Sequence, residues 1–567
     1  MQPAGETDKR YKGAGAMRDP GATHEVLNQV PPLEGFNAFL HDTALGEAIE
    51  REGGGWAHGR LVELGEWVAS GRVQELARLA NTCTPVLKTH DRYGNRIDEV
   101  EFHPSYHELL GKAIAEDIHA MPFAAPRDGA FVARAGLHFL FNFAEIGVLC
   151  PVTMTFAAVP TLRQQPDIAA DWEPRILSER YDPRFLPASA KTGATIGMAM
   201  TEKQGGSDVR SNTTRAVAIG AGGPGGEYLL TGHKWFCSAP MSDGFLTLAN
   251  TDAGLTCFFV PRWTPDGERN IFLIQRLKEK LGNRSNASSE IEYRDTWARM
   301  VGEDGRGVKT IIEMVHHTRL DTAISAAGIM RNAVARAIHH ASYRTAFQKK
   351  LVDQPAMRRV LADIALESEA ATALAMRVAR SFDEAASNAQ SAAFSRIAVA
   401  IAKFWLCKRT PALVAEALEL HGGNGYVETG EMARLYREAP LNGIWEGTGT
   451  VMALDVLRAI AREPGALEAV MAELRLALGT DARFDAHVDR IAARIAARRF
   501  AEADARRIAE ELAVGLQASL LIRAAPAYVA DAFCATRLGD GNGLAFGLLP
   551  DGLDEAAIVE RASVKLV

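Results

Sequence analysis

Cysteine is scarce in this chain and never paired in sequence. The six residues, at positions 83, 150, 237, 257, 407 and 534, form no CxxC spacing, which argues against a zinc ribbon or a disulfide framework and makes a reducing, cytoplasmic setting the expectation. Long apolar runs are missing too. The most hydrophobic stretch, IAVAIAKFWLC from Ile397, is short and interrupted by Lys403, so no membrane-spanning helix is expected. The opening MQPAGETDKRYKGAGAMRDPGATHE has no apolar core of the secretory-signal kind and reads as a flexible leader over residues 1–23. Nor is positive charge in excess: 63 Lys and Arg stand against 70 Asp and Glu, a formal net charge of -7. The whole chain therefore exerts no pull on nucleic acid, and any such binding has to be local.

What is present is the composition of a sizeable globular protein. With 567 residues, 47% hydrophobic and 23% charged, the chain can bury several cores and should divide into three or four domains. Its hydrophobic period changes twice. Residues 24–195 read mostly as helices, as in ARAGLHFLFNFAEIGVLCPVTMTFAAVPTL. Over 196–306, short apolar runs such as EYLLTGHKWFCSAP and LTCFFVPRW, separated by Gly, Asn and Asp, read as antiparallel strands. Long helical segments return over 307–461, and an Ala- and Arg-rich helical tail follows over 462–567, beyond Pro464-Gly465. The class is α+β. The cluster GAGGPGG at 220–226 has no Lys-Ser/Thr ending and lies between strand candidates, which predicts a hairpin connection in place of a phosphate loop. There is no internal repeat.

Four separated stretches carry candidate chemistry. GMAMTEKQGGSDVRSNTTRA, from Gly197, concentrates hydroxyls, amides and glycines in a loop able to present backbone N–H groups and hydroxyls to an anionic or heteroaromatic ligand. In GHKWFCSAP, Phe236 precedes Ser238 by two positions, so on a strand both face one way, one to stack on a ring and one to hydrogen-bond it. LHGGNGY permits close backbone approach after a helix. LNGIWEGTGTVMALDVLRA places Glu446 between Trp445 and small residues, ahead of a helical pattern, where the ordinary explanation is an acid in a helix's first turn.

Taken in order, these stretches resemble the TEPxxGSD loop, the flavin-facing K-x-W-I-T/S strand and the GGxGY…RD…YEGT ending of the acyl-CoA dehydrogenase family. The wording of MTEKQGGSDV, SNTTRA and LKEKLGNRSNASSE is similar to its AidB subgroup, associated with the adaptive response to DNA alkylation. The resemblance runs from about Thr23 to the end. It implies a helical N-terminal domain, a middle β-domain and a C-terminal helical bundle, with noncovalent FAD in a homotetramer. Thr201 and the backbone of Met200 would meet the flavin's pyrimidine edge, and Ser207 the cofactor's phosphates or the substrate. Phe236 would lie on the isoalloxazine and Ser238 would donate to N5. Arg344 and Phe347, with Gly422 and Gly423, would contact a neighbouring subunit's FAD. Thr448 and Thr450 would sit at its adenine–pyrophosphate end, and Trp445, standing where the family usually has Tyr, would narrow the pocket. Glu446 takes the place of the catalytic base, which removes the proton α to a thioester carbonyl while the β-hydrogen leaves as hydride to flavin N5. Departures are Lys203 for the loop proline, Glu419 for a glutamine, Gln348 for a glycine, and His316 where many relatives place an acid that binds the CoA adenine.

The tail has no counterpart in ordinary acyl-CoA dehydrogenases, and in the AidB subgroup it is the proposed duplex-DNA-binding domain. Arg490, Arg494 and Arg498, four apart on one helical face, form a stripe able to track phosphates, although residues 462–567 hold 13 Lys and Arg against 16 Asp and Glu. No metal is expected, since the adjacent pairs His316-His317 and His339-His340 point about 100° apart on a helix. Three functions follow: an AidB-type FAD dehydrogenase, a DNA-binding protective flavoprotein with vestigial activity, or an ordinary short- or branched-chain acyl-CoA dehydrogenase.

Overall fold

The computed structural model describes residues 23–497, 500–539 and 543–566; all of the expected leader except Thr23 falls outside them. The first helices start at recognisable caps. Asp42 accepts from the amide of Leu45 at the head of Thr43–Arg51, and Ser70 accepts from Val73 at the head of Gly71–Thr82. Every residue of the later helix Ala130–Phe141 except Phe131 is buried, as a helix that is apolar all round requires. A β-hairpin interrupts the helices where the sequence reading has none. Strands β1 (Val86–His90) and β2 (Arg96–Glu101) pair antiparallel around a turn in which the Asp91 carboxylate accepts from the amides of Tyr93 and Asn95, with Gly94 at φ 87°.

The middle region is a seven-stranded sheet built from β3 (Ile196–Ala199), β4 (Arg215–Ile219), β5 (Glu227–Ser238), β6 (Gly244–Thr251), β7 (Gly254–Pro261), β8 (Phe272–Leu277) and β9 (Ser288–Val301). The order is β3-β6-β4-β5-β9-β7, β8 pairs with β9, and a further β6–β7 pairing closes the sheet on itself. Two pairings, β3–β6 and β4–β6, are parallel, so the expectation of a wholly antiparallel sheet needs correcting; the β4–β5 hairpin intervenes in sequence and leaves β3 and β6 running the same way. The glycine cluster makes that hairpin's connection. The β1–β2 hairpin docks on this sheet through Asp98, whose carboxylate accepts from the amide of Ile274 at 3.0 Å and whose carbonyl accepts from Arg262 at 3.1 Å.

Four long helices, Gly307–Tyr343, Pro355–Glu384, Ala389–Leu420 and Gly449–Arg462, form the C-terminal bundle. The tail helices, including Pro464–Arg475, Ala482–Ala496, Ala505–Ala524 and Ala527–Arg537, share one apolar core with that bundle and with the first helical region. Charged pairs reinforce the join: Arg377 binds Glu473 at 2.8 Å, and Arg537 binds Asp363 at 2.6 Å and Glu367 at 3.0 Å.

The longest helix is tied to the first helical region by a buried pair. Arg134 forms a two-pronged ion pair with Asp321 at 2.6 Å on each prong, donates from Nε to the carbonyl of Ile118, and lies 3.3 Å from the centre of the Phe156 ring. Thr153 donates to the same carboxylate at 2.6 Å. Arg134 and Asp321 are both out of water, so removing one partner leaves a buried charge uncompensated. Arg134→Ala should therefore destabilise the fold by about 3–5 kcal/mol, read as a lower urea midpoint, whereas the double change Arg134→Met with Asp321→Leu should lose less.

Candidate active site

Glu446 is not in a helix's first turn. The helix begins at Gly449 with Thr448 as its cap, and Glu446 lies two residues earlier with φ 57°, followed by Gly447 at φ 104°. A left-handed conformation costs an L-residue about 1–2 kcal/mol, and the surroundings hold this one in place. Arg319 donates to the Glu446 carbonyl at 3.2 Å. Lys403 donates to the carbonyls of Gly447 at 2.7 Å and Asn442 at 3.2 Å, while the Trp445 indole donates to the Asn442 side chain at 3.0 Å. Arg319 is itself held by Asp455 at 2.8 Å, a carboxylate that also binds Arg396. Two buried cations thus fix the turn by its carbonyls and leave the Glu446 side chain to point elsewhere.

That side chain has one hydroxyl neighbour. Thr318 Oγ1 lies 2.8 Å from Glu446 Oε2 and 3.0 Å from the carbonyl of Val315. A hydroxyl carries a single proton, so Thr318 donates to the ionised carboxylate; when Glu446 is protonated, it can instead accept from the acid and donate to Val315. Burial raises the Glu446 carboxyl above the usual carboxylate range, against the pull of the Thr318 hydrogen bond and of the Lys403 and Arg319 cations. Cys150, at the start of Leu149–Leu162, lies within electrostatic reach of Glu446 and within hydrogen-bonding reach of Ser238, and burial pushes its thiol up to about 11.

The loop after β3 is anchored by a residue that the sequence reading passed over. Glu202 is fully buried and accepts from Lys234 at 2.9 Å and from the amides of Thr213 and Thr214 at 2.7 and 3.1 Å. Burial alone would raise its carboxyl, but Lys234 and the threonine donors hold it far below the ordinary range. The loop is thereby clamped to β5, and the Thr201 carbonyl accepts from the amide of Trp235 at 2.8 Å. Beyond Lys234 a bulge shifts the register up to Cys237. Phe236 is 52% exposed, and the half-buried Ser238 hydroxyl lies 3.2 Å from that of Ser288. Met200 and Trp445 each pack against the same apolar cluster, which runs from Leu149–Leu162 to β3 and β6. Ser207, Thr448 and Thr450 are exposed.

The other expected cofactor residues lie on two exposed turns. Phe347, 93% exposed with φ 51°, tips the hairpin of β10 (Thr345–Ala346) and β11 (Lys349–Lys350), and Arg344 donates to the carbonyl of Asn28. Gly422, at φ 59°, and Gly423 are exposed with open space beside them, and His340, near the end of Gly307–Tyr343, meets His421 just before them with ring centres 4.5 Å apart and planes tilted by 40°. His316 is hydrogen-bonded to Ser395 at 3.1 Å and stacked on Phe382 at 4.6 Å. His339 bonds the Pro31 carbonyl at 2.8 Å. In the tail, Arg490 is exposed, Arg494 is half-buried and bound to Glu511 at 3.1 Å, and Arg498 lies outside the described residues. Of the stripe expected from spacing, Arg494 is thus paired inside the domain and Arg490 is exposed.

Thr318, Arg319 and Lys403 are site residues that sequence reasoning missed. The available signal was Lys403 itself, a cation in the stretch Ile397–Phe404, every residue of which is buried, where a charge has to be matched.

Comparison with known proteins identifies the family. Family models match in order: the adaptive response protein AidB N-terminal domain over 28–183, the acyl-CoA dehydrogenase middle domain over 197–296 and the acyl-CoA dehydrogenase C-terminal domain over 305–461. AidB of Escherichia coli (strain K12) is 45% identical over 525 residues, 92% of this chain and 96% of that protein. The Caenorhabditis elegans ACDH-11 structure in complex with C11-CoA superposes with a TM-score of 0.82 at 25% identity, covering 96% of this chain and 94% of that one. An acyl-CoA dehydrogenase complexed with FAD from Bacillus anthracis, 18% identical with a TM-score of 0.62 over 76% of this chain and 81% of that one, shares the fold. The chain belongs to the acyl-CoA dehydrogenase family, FAD-dependent oxidoreductases acting on CH–CH bonds, as a member of the AidB type.

Proposed function

We propose that Glu446 removes the α-proton of an acyl thioester bound between its carboxylate and the Phe236–Ser238 face of the β-domain. The observation that carries this reading is a carboxylate raised by burial, with a threonine able to satisfy it in either protonation state. Deprotonating carbon needs a base stronger than an ordinary carboxylate, and burial among Trp445 and its neighbours shifts Glu446 in that direction.

The residues present fit FAD. An exposed Phe236 beside a hydroxyl suits a flat ring system, and the side-chain amide of Asn286, 1% exposed, has no hydrogen-bond partner for either atom. Met200, Thr201 and Ser207 from the loop, with Trp445, Thr448 and Thr450 from the turn, would hold the cofactor from two sides. FAD, when bound, supplies the acceptor for the hydride leaving the β-carbon. Arg344, Phe347, Gly422 and Gly423 would serve a neighbouring subunit's FAD in a homotetramer, which accounts for so exposed a phenylalanine at Phe347. The C11-CoA complex of the C. elegans relative supports a thioester substrate. His316, packed on Phe382, offers no carboxylate to the CoA adenine.

A second reading, protection of DNA from alkylation through the tail, is supported by the AidB match and by the exposed Arg490, Arg506 and Arg507. The cytoplasmic setting rests on the free cysteines, and among the described residues no helix is long and apolar enough to cross a membrane.

Glu446→Gln should keep FAD and abolish flavin bleaching by acyl-CoA, followed by stopped-flow absorbance; bleaching at the wild-type rate would remove Glu446 as the base. In the wild type the bleaching rate should rise with pH through a carboxyl titration above the usual range, and Thr318→Val, which deletes a hydrogen bond favouring the carboxylate, should move that limb up by about 1–2 pH units. For DNA, Arg490→Gln should lower the slope of log affinity against log salt by at most about 0.9, while Arg494→Gln should leave the slope alone and lower the melting temperature. An unchanged slope on combined replacement of Arg490, Arg506 and Arg507 would return the tail to a packing role.

A further inference from the structure

Behind Ser238 lies a buried polar chamber where the three regions meet. The Ser238 hydroxyl is 3.2 Å from that of Ser288, which is 3.1 Å from the Lys280 ammonium. Lys280 also donates to the Asn286 carbonyl at 2.6 Å and approaches the Asn283 side-chain oxygen at 3.5 Å. Its other charged and titratable neighbours are Glu145 and Cys150 from the first helical region and Glu438, with Arg434 beside it, from the helix Glu431–Glu438. Glu145 is occupied by donors from Asn81, Ser285 and Val148, and Glu438 by the amide of Asn283 at 2.6 Å.

This chain has a direction. An ammonium has donors and no lone pair, so Ser288 must accept from Lys280, and its single proton then turns to Ser238. Ser238, accepting from Ser288 and able to accept from the neutral Cys150 thiol on its other lone pair, is left with its own proton to give outward, on the face it shares with Phe236. Hydrogen bonds in series polarise one another, and a donor aimed at the atom that gains negative charge stabilises that charge.

We propose that Lys280, acting through Ser288, is a positioning residue that fixes Ser238 as a polarised donor toward the bound flavin and so raises the flavin's reduction potential. The proposal rests on the reading that Ser238 faces flavin N5. Burial brings the Lys280 ammonium down to about 8, so its charge, and with it the direction of the chain, is lost in the mildly alkaline range. Glu438, raised by burial to about 7, titrates just below it, and Cys150, at about 11, stays neutral throughout.

The test is the midpoint potential of bound FAD, measured by dye equilibration from pH 6 to 9.5 on the intact holoprotein. The wild type should show a break near pH 8. Lys280→Met and Ser288→Ala should each lower the potential at pH 7 and erase the break; if Lys280→Met does not fold, Ser288→Ala, which leaves the ammonium in place and cuts the chain, decides alone. Wild-type potential and break in Ser288→Ala, alongside a lowered potential in Ser238→Ala, would overturn the relay and leave Ser238 at N5. An unaltered potential and visible spectrum in Ser238→Ala would remove the reading beneath the proposal, and the proposal with it.

Discussion

The ion pair of Arg134 with Asp321 sets the reference frame of the site. It fixes the longest helix against the first helical region from inside the protein, where neither charge can turn to water instead. Thr318 and Arg319 lie less than one turn before Asp321 on that helix, so the pair that locks the helix also locks the hydroxyl that meets Glu446 and the guanidinium that holds its backbone. Arg319 passes the constraint on to Asp455 in the following helix, and Lys403 closes it from a third. Glu446 can remain left-handed because its backbone is held from several elements at once, which leaves its carboxylate to be met by Thr318 alone among hydrogen-bond donors of the described residues.

The loop after β3 is organised by the same economy of charge. Glu202 and Lys234 neutralise each other at the base of the loop after β3, and the threonine amides and hydroxyls complete the carboxylate's shell. Such a pair is a weak source of net stability and a strong source of geometry. The bulge beyond Lys234 then presents Phe236 and Ser238 outward on a strand whose other face is packed core.

Much of this was legible in the sequence. The succession of helices, strands and helices follows from the hydrophobic period, and Glu446 stood out because a carboxylate between Trp445 and a run of small residues is unusual. The β1–β2 hairpin was not legible, since VLKTH and RIDEVE are largely polar and their alternation is satisfied only by docking on β8 through Asp98. Lys403 looked like an interruption of an apolar run because its partners, the carbonyls of Asn442 and Gly447, are remote in sequence. Arg494 looked free for a related reason: spacing along a helix indicates which residues share a face, and Glu511, which faces it, belongs to another helix.

The tail's continuity with the bundle bears on how such a chain could have been assembled. Gln517 accepts from the Trp405 indole, and Arg537 reaches back to Asp363 and Glu367. The segment after residue 461 is therefore not a cassette that could be exchanged between relatives at a linker. A graft would have to bring its own apolar surface and matching carboxylates on Pro355–Glu384 and Ala389–Leu420. Its inheritance is tied to that of the bundle, and substitutions on either side of the seam have to be accommodated in pairs.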